Sequence, residues 1–166
     1  MAHLARWRVP SGFGAGVVVW WLAQPTPESL AIGAFVATIG EALRVWAAGH
    51  LNKAREVTSS GPYRWLAHPL YVGSSVMAIG LAFASRSVAV AVIAGLYVGV
   101  TFTAAVKTEE RALREAFGDA YDRYRRQAAV DGTRHFSWQR AFANGEHRAI
   151  AGLVLALAAL AVRSWL

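Results

Sequence analysis

Two short polar motifs contain the residues of this chain that are best suited to chemistry. The first runs through Gly61-Pro62-Tyr63 to His68-Pro69-Leu70-Tyr71, and the second begins at Glu109-Glu110. The histidine can donate a hydrogen bond just before a proline that favours the first turn of a helix, where free backbone N–H groups attract anions. The carboxylates of the second motif accept hydrogen bonds from ammonium and hydroxyl groups. Together the motifs suit a polar ligand that carries both kinds of group.

A second candidate is an ion pair inside an apolar stretch. Arg44 lies within the run Leu30–Leu51, where an arginine costs about 2.5 to 3.5 kcal/mol on insertion scales and usually faces a cavity or a partner. Its guanidinium could hold a substrate carboxylate by two parallel hydrogen bonds. Glu41 lies one helical turn earlier, so the alternative is an ion pair that only stabilises the helix. The sequence leaves both interpretations open.

Five apolar runs must position these residues. The composition is 55% hydrophobic and 16% charged over 166 residues, which is more apolar surface than a soluble core of this size needs. We therefore predict an all-α integral membrane protein, with residues 1–166 forming one domain and about five transmembrane helices. We interpret the first run as a retained helix, because cleavage after Ala23 would place bulky Trp21 where signal peptides have a small residue. The predicted helices are Gly12–Ala23, Leu30–Leu51, Tyr71–Ala84, Val88–Val106 and an extra C-terminal one at Ala149–Val162.

A break in the apolar sequence between the motifs predicts a helical hairpin. The stretch from Val72 to Val106 is almost wholly apolar and is interrupted only at Ser85-Arg86-Ser87. Two antiparallel helices joined there would return the chain to the face it left, because the two runs rise by comparable distances. His68-Pro69 and Glu109-Glu110 would then meet at one membrane face, where we expect a shared ligand site.

After Lys107 the pattern changes from apolar to amphipathic. Leu113, Phe117, Tyr121 and Tyr124 recur at three- and four-residue spacing, with charged residues between them. This period is typical of a helix with one apolar face. We predict a cytoplasmic amphipathic helix that covers the ligand pocket, with Phe117 and Tyr121 facing inward.

The placement of positive charge predicts the orientation. Alternating five spans puts fourteen of the 17 Lys and Arg residues on one side, which the positive-inside rule assigns to the cytoplasm. We therefore expect an inner or plasma membrane protein whose site faces the cytoplasm. The net charge of +7 is interpreted as topology and attraction to anionic lipids, and no nucleic-acid partner is predicted. The chain has no cysteine and its five histidines lack i, i+4 pairing, so we predict no metal site.

Several of these motifs stand in the order and spacing of a known family. They are Gly40-Glu41-Ala42-Leu43-Arg44, Ser60-Gly61 with Tyr63, His68-Pro69 with Tyr71 and Gly73, and the series Glu109-Glu110, Leu113, Phe117-Gly118, Tyr121 and Tyr124. Over residues 40–124 the chain resembles the isoprenylcysteine carboxyl methyltransferases and their relatives among the phospholipid methyltransferases. The resemblance implies S-adenosylmethionine as cofactor, held in a cytoplasmic-side pocket, and a lipophilic or lipidated substrate that enters from the lipid bilayer.

The resemblance also implies roles for individual residues. It assigns Arg44, together with Glu41, to handling a substrate carboxylate. Trp46 and Trp65 flank the proposed site and are the expected substrate contacts. Adjacent residues point about 100° apart on a helix, so we expect only one of the two glutamates to face the cofactor. The expected cofactor contacts are His68, Tyr71, Glu109, Glu110, Tyr63, Phe117 and Tyr121.

Two positions depart from the family's pattern. Ala67 stands where members usually have an arginine before His-Pro, and Ala128-Ala129-Val130 stands where they tend to have Val-Pro-Arg. Either missing arginine could have bound the cofactor carboxylate or a substrate acid. Arg64, Arg125 and Arg126 are the candidate substitutes.

Alternatives remain open for the aromatic residues near the motifs. Tyr71 either lines an adenosine pocket or belongs to the aromatic belt at a membrane interface. Tyr63, Tyr121 and Tyr124 are also the kind of residue that packs without taking part in chemistry.

Three classes of function fit the sequence. The first is methyl transfer to a lipid-borne acceptor, with carboxyl O-methylation of an isoprenylcysteine-like acid favoured. The alternative acceptor is a phospholipid amine or another small lipophilic nucleophile. The second is a membrane oxidoreductase of the sterol reductase kind, although the chain lacks the glycine pattern of dinucleotide-binding folds. The third is a non-enzymatic membrane subunit in which Glu41 and Arg44 only hold helices together.

Overall fold

The computed structural model describes residues 16–52, 56–126 and 134–166, and these residues contain helices and no strand. A helical segment at 16–22 comes first. The elements that follow are α1 (Pro27–His50), a 3-10 turn (Gly61–Arg64), α2 (Pro69–Ser85), α3 (Val88–Phe117), α4 (Asp119–Arg125), α5 (Trp138–Ala143) and α6 (Glu146–Arg163).

The start of α1 is fixed by a reciprocal cap. The Thr26 side chain accepts a hydrogen bond from the Ser29 backbone N–H at 3.2 Å, and the Ser29 hydroxyl accepts from the Thr26 N–H at 2.9 Å. Such a capping box satisfies two backbone donors that the helix leaves free. The Ser29 hydroxyl also lies 3.1 Å from the carbonyl oxygen of Ala84, which ties the start of α1 to the end of α2.

Helices α1 and α2 are antiparallel and touch through glycine. A Cβ added at Gly33 would lie 2.5 Å from the carbonyl oxygen of Gly80, and one added at Gly40 would lie 2.6 Å from that of Gly73. Small residues let membrane helices approach this closely. The contact sets the register between the two helices and places Arg44 of α1 beside the first turns of α2.

The predicted hairpin between α2 and α3 is confirmed. Helix α2 ends at Ser85, and Arg86 adopts a left-handed conformation with φ of 49°. The Ser87 hydroxyl then caps α3 by accepting a hydrogen bond from the Val90 N–H at 3.4 Å. The chain therefore reverses at the residues that interrupt the apolar sequence.

Two of the described helices, α1 and α3, are long and apolar enough to cross a membrane, and α2 is a shorter apolar helix. Most of α3 is exposed, including the side chains of Val92, Leu96, Tyr97 and Val100. An apolar surface of this extent suits lipid rather than water. The five-span topology stays a prediction, and the first part of its first run lies outside the described residues.

The amphipathic stretch after Lys107 differs from its prediction. It is the upper part of α3, which continues without interruption to Phe117. Only at Gly118, with φ of 48°, does the chain turn into the short α4. The prediction of a separate helix was wrong in this respect. A change from apolar to amphipathic sequence does not end a helix, because the backbone hydrogen bonds can continue through it. The segment after Gly118 still folds back towards the 3-10 turn, since Tyr124 of α4 donates a hydrogen bond to the Tyr63 carbonyl oxygen at 2.9 Å.

The C-terminal helices pack on α1. Asn144, just after α5, donates to the carbonyl oxygens of Ala48 and Leu51 at 2.9 and 3.0 Å, and so caps the end of α1. At the opposite end of the bundle, Leu160 of α6 packs with Ala23 and Ala84. Helix α6 therefore runs antiparallel to α1, and its first residues lie near the end of α1.

Candidate active site

The two polar motifs meet through His68. Its Nε2 lies 3.3 Å from Oε1 of Glu110, and its Nδ1 lies 3.7 Å from Oε2 of Glu109. The imidazole is 14% exposed, while Glu109 is more open at 43%. Helix α2 begins with Pro69 directly after the histidine, and the hairpin brings α3 back to the same level. Both glutamates therefore contact one side chain, where we expected only one of them to face the site.

Positive side chains of α3 and α4 surround this cluster. Nη2 of Arg125 lies 3.5 Å from Oε1 of Glu110. Arg125 is one of the three arginines expected to replace those that the family has and this chain lacks, and it reaches the second motif. Arg114 forms an ion pair with Asp122 at 3.4 Å and lies over the ring of Tyr121 at 5.6 Å. Helix α4 thus contacts the cluster through Arg125.

Tyr121 of α4 is buried and only 1% exposed. Its hydroxyl has no hydrogen-bond partner among the residues that the structure describes. A buried polar group without a partner is costly. A polar ligand bound beside this cluster of acidic and basic side chains would give the Tyr121 hydroxyl a hydrogen-bond partner. Phe117, the other residue predicted to face inward, is half-buried next to the break at Gly118.

Tyr71 lies between the cluster and the apolar part of the hairpin. Its ring centroid is 6.0 Å from that of His68 and 5.2 Å from that of Phe102 on α3. These contacts place it between the polar motifs and the apolar parts of α2 and α3.

Tyr63 and Tyr124 have a structural contact that the sequence did not specify. The Tyr124 hydroxyl donates to the backbone carbonyl of Tyr63 at 2.9 Å. Burial raises the pKa of Tyr124 to about 12, so its hydroxyl stays neutral and keeps donating over the ordinary pH range. Burial also raises the pKa of Tyr63. Both residues hold α4 against the 3-10 turn.

Arg44 lies in a second cluster and has several partners. Its Nη2 donates to Oε1 of Glu146 at 2.9 Å, its Nη1 donates to the Ser74 hydroxyl, and its Nε lies 3.6 Å from Oε2 of Glu41. The ion pair with Glu41 on the same helix is therefore present, but its N–O distance is longer than that of the ion pair with Glu146. Three helices, α1, α2 and α6, hold the guanidinium.

Glu146 is the functional candidate that the sequence analysis did not identify. It is the first residue of α6, and its side chain is only 4% exposed. Glu146 precedes an apolar run, which could have marked it as a buried acid, but nothing in the sequence pairs it with a residue about a hundred positions earlier. Both oxygens of Glu41 and Oε2 of Glu146 have no hydrogen-bond partner among the described residues.

Trp46 and Trp65 lie next to each other, with ring centroids 6.0 Å apart. Trp65 is 67% exposed and Trp46 is 40% exposed. Large exposed indoles of this kind are common where a membrane protein meets the head groups of the lipids. Trp46 follows Arg44 by two residues and Trp65 directly follows the 3-10 turn, so both lie at the end of the molecule where the two clusters lie.

The sequence pattern of one family covers most of the elements that build these clusters. The family described as phospholipid methyltransferase matches residues 28–120, more than half of the chain. The chain belongs to this phospholipid methyltransferase family. The match includes α1, α2 and α3 and therefore Arg44, His68, Glu109 and Glu110, whereas Glu146 lies outside it.

Curated relatives of this family member are longer proteins. The chain is 32% identical over 111 residues to the nickel-cobalt-cadmium resistance protein NccN of Alcaligenes xylosoxydans xylosoxydans. The aligned residues make up 66% of this chain and 51% of that protein. It is 33% identical over 100 residues to the cobalt-zinc-cadmium resistance protein CzcN of Cupriavidus metallidurans, covering 59% and 45%. The chain thus spans about half the length of these relatives.

A third relative is an enzyme. The chain is 30% identical over 76 residues to the protein-S-isoprenylcysteine O-methyltransferase of Schizosaccharomyces pombe, which covers 46% of this chain and 32% of that protein. No solved structure gives a significant match. Together with the two apolar helices, the family indicates a methyltransferase that associates with membranes. Within the described ranges, no group of three or more His, Cys, Asp or Glu side chains could hold a metal ion.

The residues of the first cluster fit the cofactor that the family implies. S-adenosylmethionine carries an ammonium, a carboxylate and ribose hydroxyls, which call for both acceptors and donors. Glu109 and Glu110 supply acceptors and are held in place by His68, while the unpartnered Tyr121 hydroxyl supplies a donor. Arg125 adds a positive charge beside Glu110.

Proposed function

We propose that the protein is an S-adenosylmethionine-dependent methyltransferase that methylates a lipid-borne acceptor at the cytoplasmic face of an inner or plasma membrane. The observation that carries this proposal is the contact of His68 with both Glu109 and Glu110. It joins the two motifs of the family at one end of a helical hairpin whose other residues suit the bilayer. A polar cofactor and a lipid acceptor can meet only at such a boundary.

The chain's own residues bind the cofactor, orient the acceptor and exclude water from the site. When bound, the cofactor supplies a methyl group that its sulfonium already activates, so the main task of the protein is positioning. In this proposal Glu109 and Glu110 hold the ammonium and ribose, while Arg125 and the Tyr121 hydroxyl bind the carboxylate. His68, whose two ring nitrogens face Glu109 and Glu110, keeps these two side chains in position. Tyr71 closes the pocket on the membrane side, and α4 covers it on the water side with Tyr121.

The acceptor favoured by the resemblance is the carboxyl group of an isoprenylcysteine-like lipid acid. Such a group is ionised at neutral pH and attacks without a general base, but it needs a cation to hold it. Arg44 is our candidate, with one N–H of each terminal nitrogen left over after the bonds to Ser74 and Glu146. Trp46 and Trp65 then contact the acceptor where it enters. A phospholipid amine remains the alternative acceptor.

Binding and turnover measurements test this proposal. We expect the protein in detergent to bind S-adenosylmethionine but not NADPH in calorimetry. It should then transfer a labelled methyl group to an N-acetyl-S-alkyl cysteine. Glu110→Gln should weaken cofactor binding by about tenfold or more, the loss expected for one charged hydrogen bond. Glu115→Gln, on the exposed side of the same helix, is the matched control. Binding of NADPH alone, or of neither cofactor, would contradict the proposal.

A further inference from the structure

The segment 137–144, beyond the residues that match the family, is fixed to the end of α1. The Gly49 carbonyl oxygen accepts hydrogen bonds from the Ser137 backbone N–H at 3.1 Å and from Nε of Arg140 at 2.9 Å. The Asn144 side chain donates to two more carbonyl oxygens there, at 2.9 and 3.0 Å. The last carbonyl groups of a helix have no partner within it. These hydrogen bonds supply that partner and position the residues that follow Asn144.

A sharp turn then directs Glu146 towards Arg44. Gly145 has a φ of 92°, a left-handed conformation that glycine adopts without strain. Glu146 follows as the first residue of α6, and its side chain is 4% exposed. Its Oε1 accepts the hydrogen bond from Nη2 of Arg44 at 2.9 Å. The position of this carboxylate is therefore set by the contacts of the preceding segment with α1.

The Arg44 guanidinium is held at both of its terminal nitrogens. Nη1 donates to the Ser74 hydroxyl of α2, and Nη2 donates to Glu146 of α6. A planar group that is fixed at two points cannot rotate freely. Each terminal nitrogen carries two N–H groups, so one on each is left for another acceptor. Without the bond to Glu146, the guanidinium could rotate about its contact with Ser74.

We infer that Glu146 is a positioning residue for the methyl acceptor. It keeps the Arg44 guanidinium in the orientation that leaves an N–H of each terminal nitrogen free for the acceptor carboxylate. The inference rests on the proposed function, in which Arg44 binds that carboxylate. It adds to the acceptor site a residue from outside the family match, whereas the residues proposed to bind the cofactor polar groups lie on α3 and α4.

The contribution of Glu146 to acceptor binding has to be geometric. Glu146 is an acid paired with Arg44, so it carries the same sign of charge as a carboxylate acceptor. Like charges that lie close together repel each other, most strongly where water is excluded. If only charge mattered, removing the charge of Glu146 would strengthen the binding of an acid. Glu146 can therefore favour the acceptor only by fixing the direction of the guanidinium.

Three substitutions separate geometry from charge. Glu146→Gln removes the charge but keeps an amide oxygen at the same reach. Glu146→Asp keeps the charge but shortens the side chain by one carbon–carbon bond, about 1.5 Å, which takes the oxygen out of hydrogen-bond range. Glu146→Met keeps the length of the side chain and has no oxygen. The same three substitutions at Glu115, which is exposed on α3, are the controls.

Calorimetry in detergent with N-acetyl-S-dodecyl cysteine measures acceptor binding for each variant. We expect Glu146→Asp and Glu146→Met to weaken the binding of this acid by about tenfold or more, the loss of one charged hydrogen bond. Glu146→Gln should bind it at least as well as the unchanged protein, and the Glu115 variants should bind it equally. The uncharged methyl ester of the same compound, and S-adenosylmethionine, should bind to all variants alike. A role in folding alone would change all of these affinities together.

The outcomes separate this inference from the proposed function, because binding needs no methyl transfer. The expected order of affinities without methyl transfer would support Glu146 as a positioning residue of an acid site and count against the enzymatic proposal. Weaker binding in Glu146→Gln with unchanged binding in Glu146→Asp would overturn the inference, since Glu146 would then act through its charge. So would equal affinities in all variants. If the protein bound S-adenosylmethionine but not the acid, the inference would also be overturned, and the cofactor proposal would stand.

Discussion

Arg44 of α1 donates a hydrogen bond to Glu146 of α6, with Nη2 and Oε1 2.9 Å apart. The acid comes from a helix outside the residues that match the family. In this protein the C-terminal helix therefore contributes a buried partner to an arginine of the family's core. Glu41, the nearer residue in sequence, lies farther from the guanidinium at 3.6 Å.

We expect Glu146→Ala to destabilise the protein more than Glu41→Gln. The first change removes a buried charged hydrogen bond, which is worth about 1.5 to 3 kcal/mol. The second leaves that bond intact and alters only the longer contact. Chemical unfolding in detergent micelles would measure both, with exposed Glu115→Ala as the control. Equal decreases in the free energy of unfolding for the two variants would show that the hydrogen bond from Arg44 to Glu146 adds no more stability than the longer contact with Glu41.

Arg44→Lys should keep the fold but remove most of the turnover. A lysine can keep one ion pair but cannot reproduce the planar fork that reaches Ser74, Glu146 and an acceptor carboxylate together. Calorimetry should show little change in affinity for S-adenosylmethionine, while the rate of methyl transfer to an alkyl cysteine falls. Full activity would mean that Arg44 is a structural charge and does not touch the acceptor.

Gly40→Ala and Gly80→Ala should each destabilise the protein. An added Cβ would lie 2.5 Å from the Met77 nitrogen in the first case and 2.4 Å from the Ala37 nitrogen in the second, and backbone atoms cannot give way cheaply. Overpacking of this kind costs about 1 to 3 kcal/mol. Gly99→Ala, with open space around the new methyl, should instead be neutral or stabilising. A loss of stability for Gly99→Ala as large as for Gly40→Ala would contradict the packing argument.

Much of the candidate site could be predicted because local signals specify it. Pro69 marks the start of α2, and the polar residues around Arg86 mark the turn, so α3 runs back along α2 and reaches the level of His68 at Glu109 before it continues to Phe117. The contact of both glutamates with one imidazole could not be predicted from angular spacing alone. A histidine has two ring nitrogens, and here each faces a different carboxylate.

Other features depend on tertiary contacts that leave no local signal. Glu146 reaches Arg44 because Asn144, between α5 and α6, caps the end of α1 and so positions the start of α6. The continuation of α3 to Phe117 was missed because a change from apolar to amphipathic sequence was interpreted as a new element. Such a change alters the surroundings of a helix without ending it, and the backbone turns only at Gly118.

Arg125→Ala should weaken cofactor binding, whereas Arg123→Ala should not. Arg125 lies 3.5 Å from Glu110, and Arg123 is exposed on the same short helix. We expect a loss of several-fold for Arg125→Ala, because a half-exposed ion pair contributes up to about 1 kcal/mol. Calorimetry with S-adenosylmethionine at low salt measures the difference. Equal affinities for both variants would remove Arg125 from the cofactor site.

The central claim is that His68 and Glu110 act on one bound cofactor, and a double-mutant cycle tests it most directly. Affinity for S-adenosylmethionine would be measured by calorimetry for His68→Ala, Glu110→Gln and the double variant, each checked for folding by circular dichroism. We predict that each single change weakens binding by about tenfold or more, and that the double variant departs from additivity by more than about 0.5 kcal/mol. Unchanged affinity in both correctly folded single variants would contradict the account and leave the two motifs as a structural contact between helices.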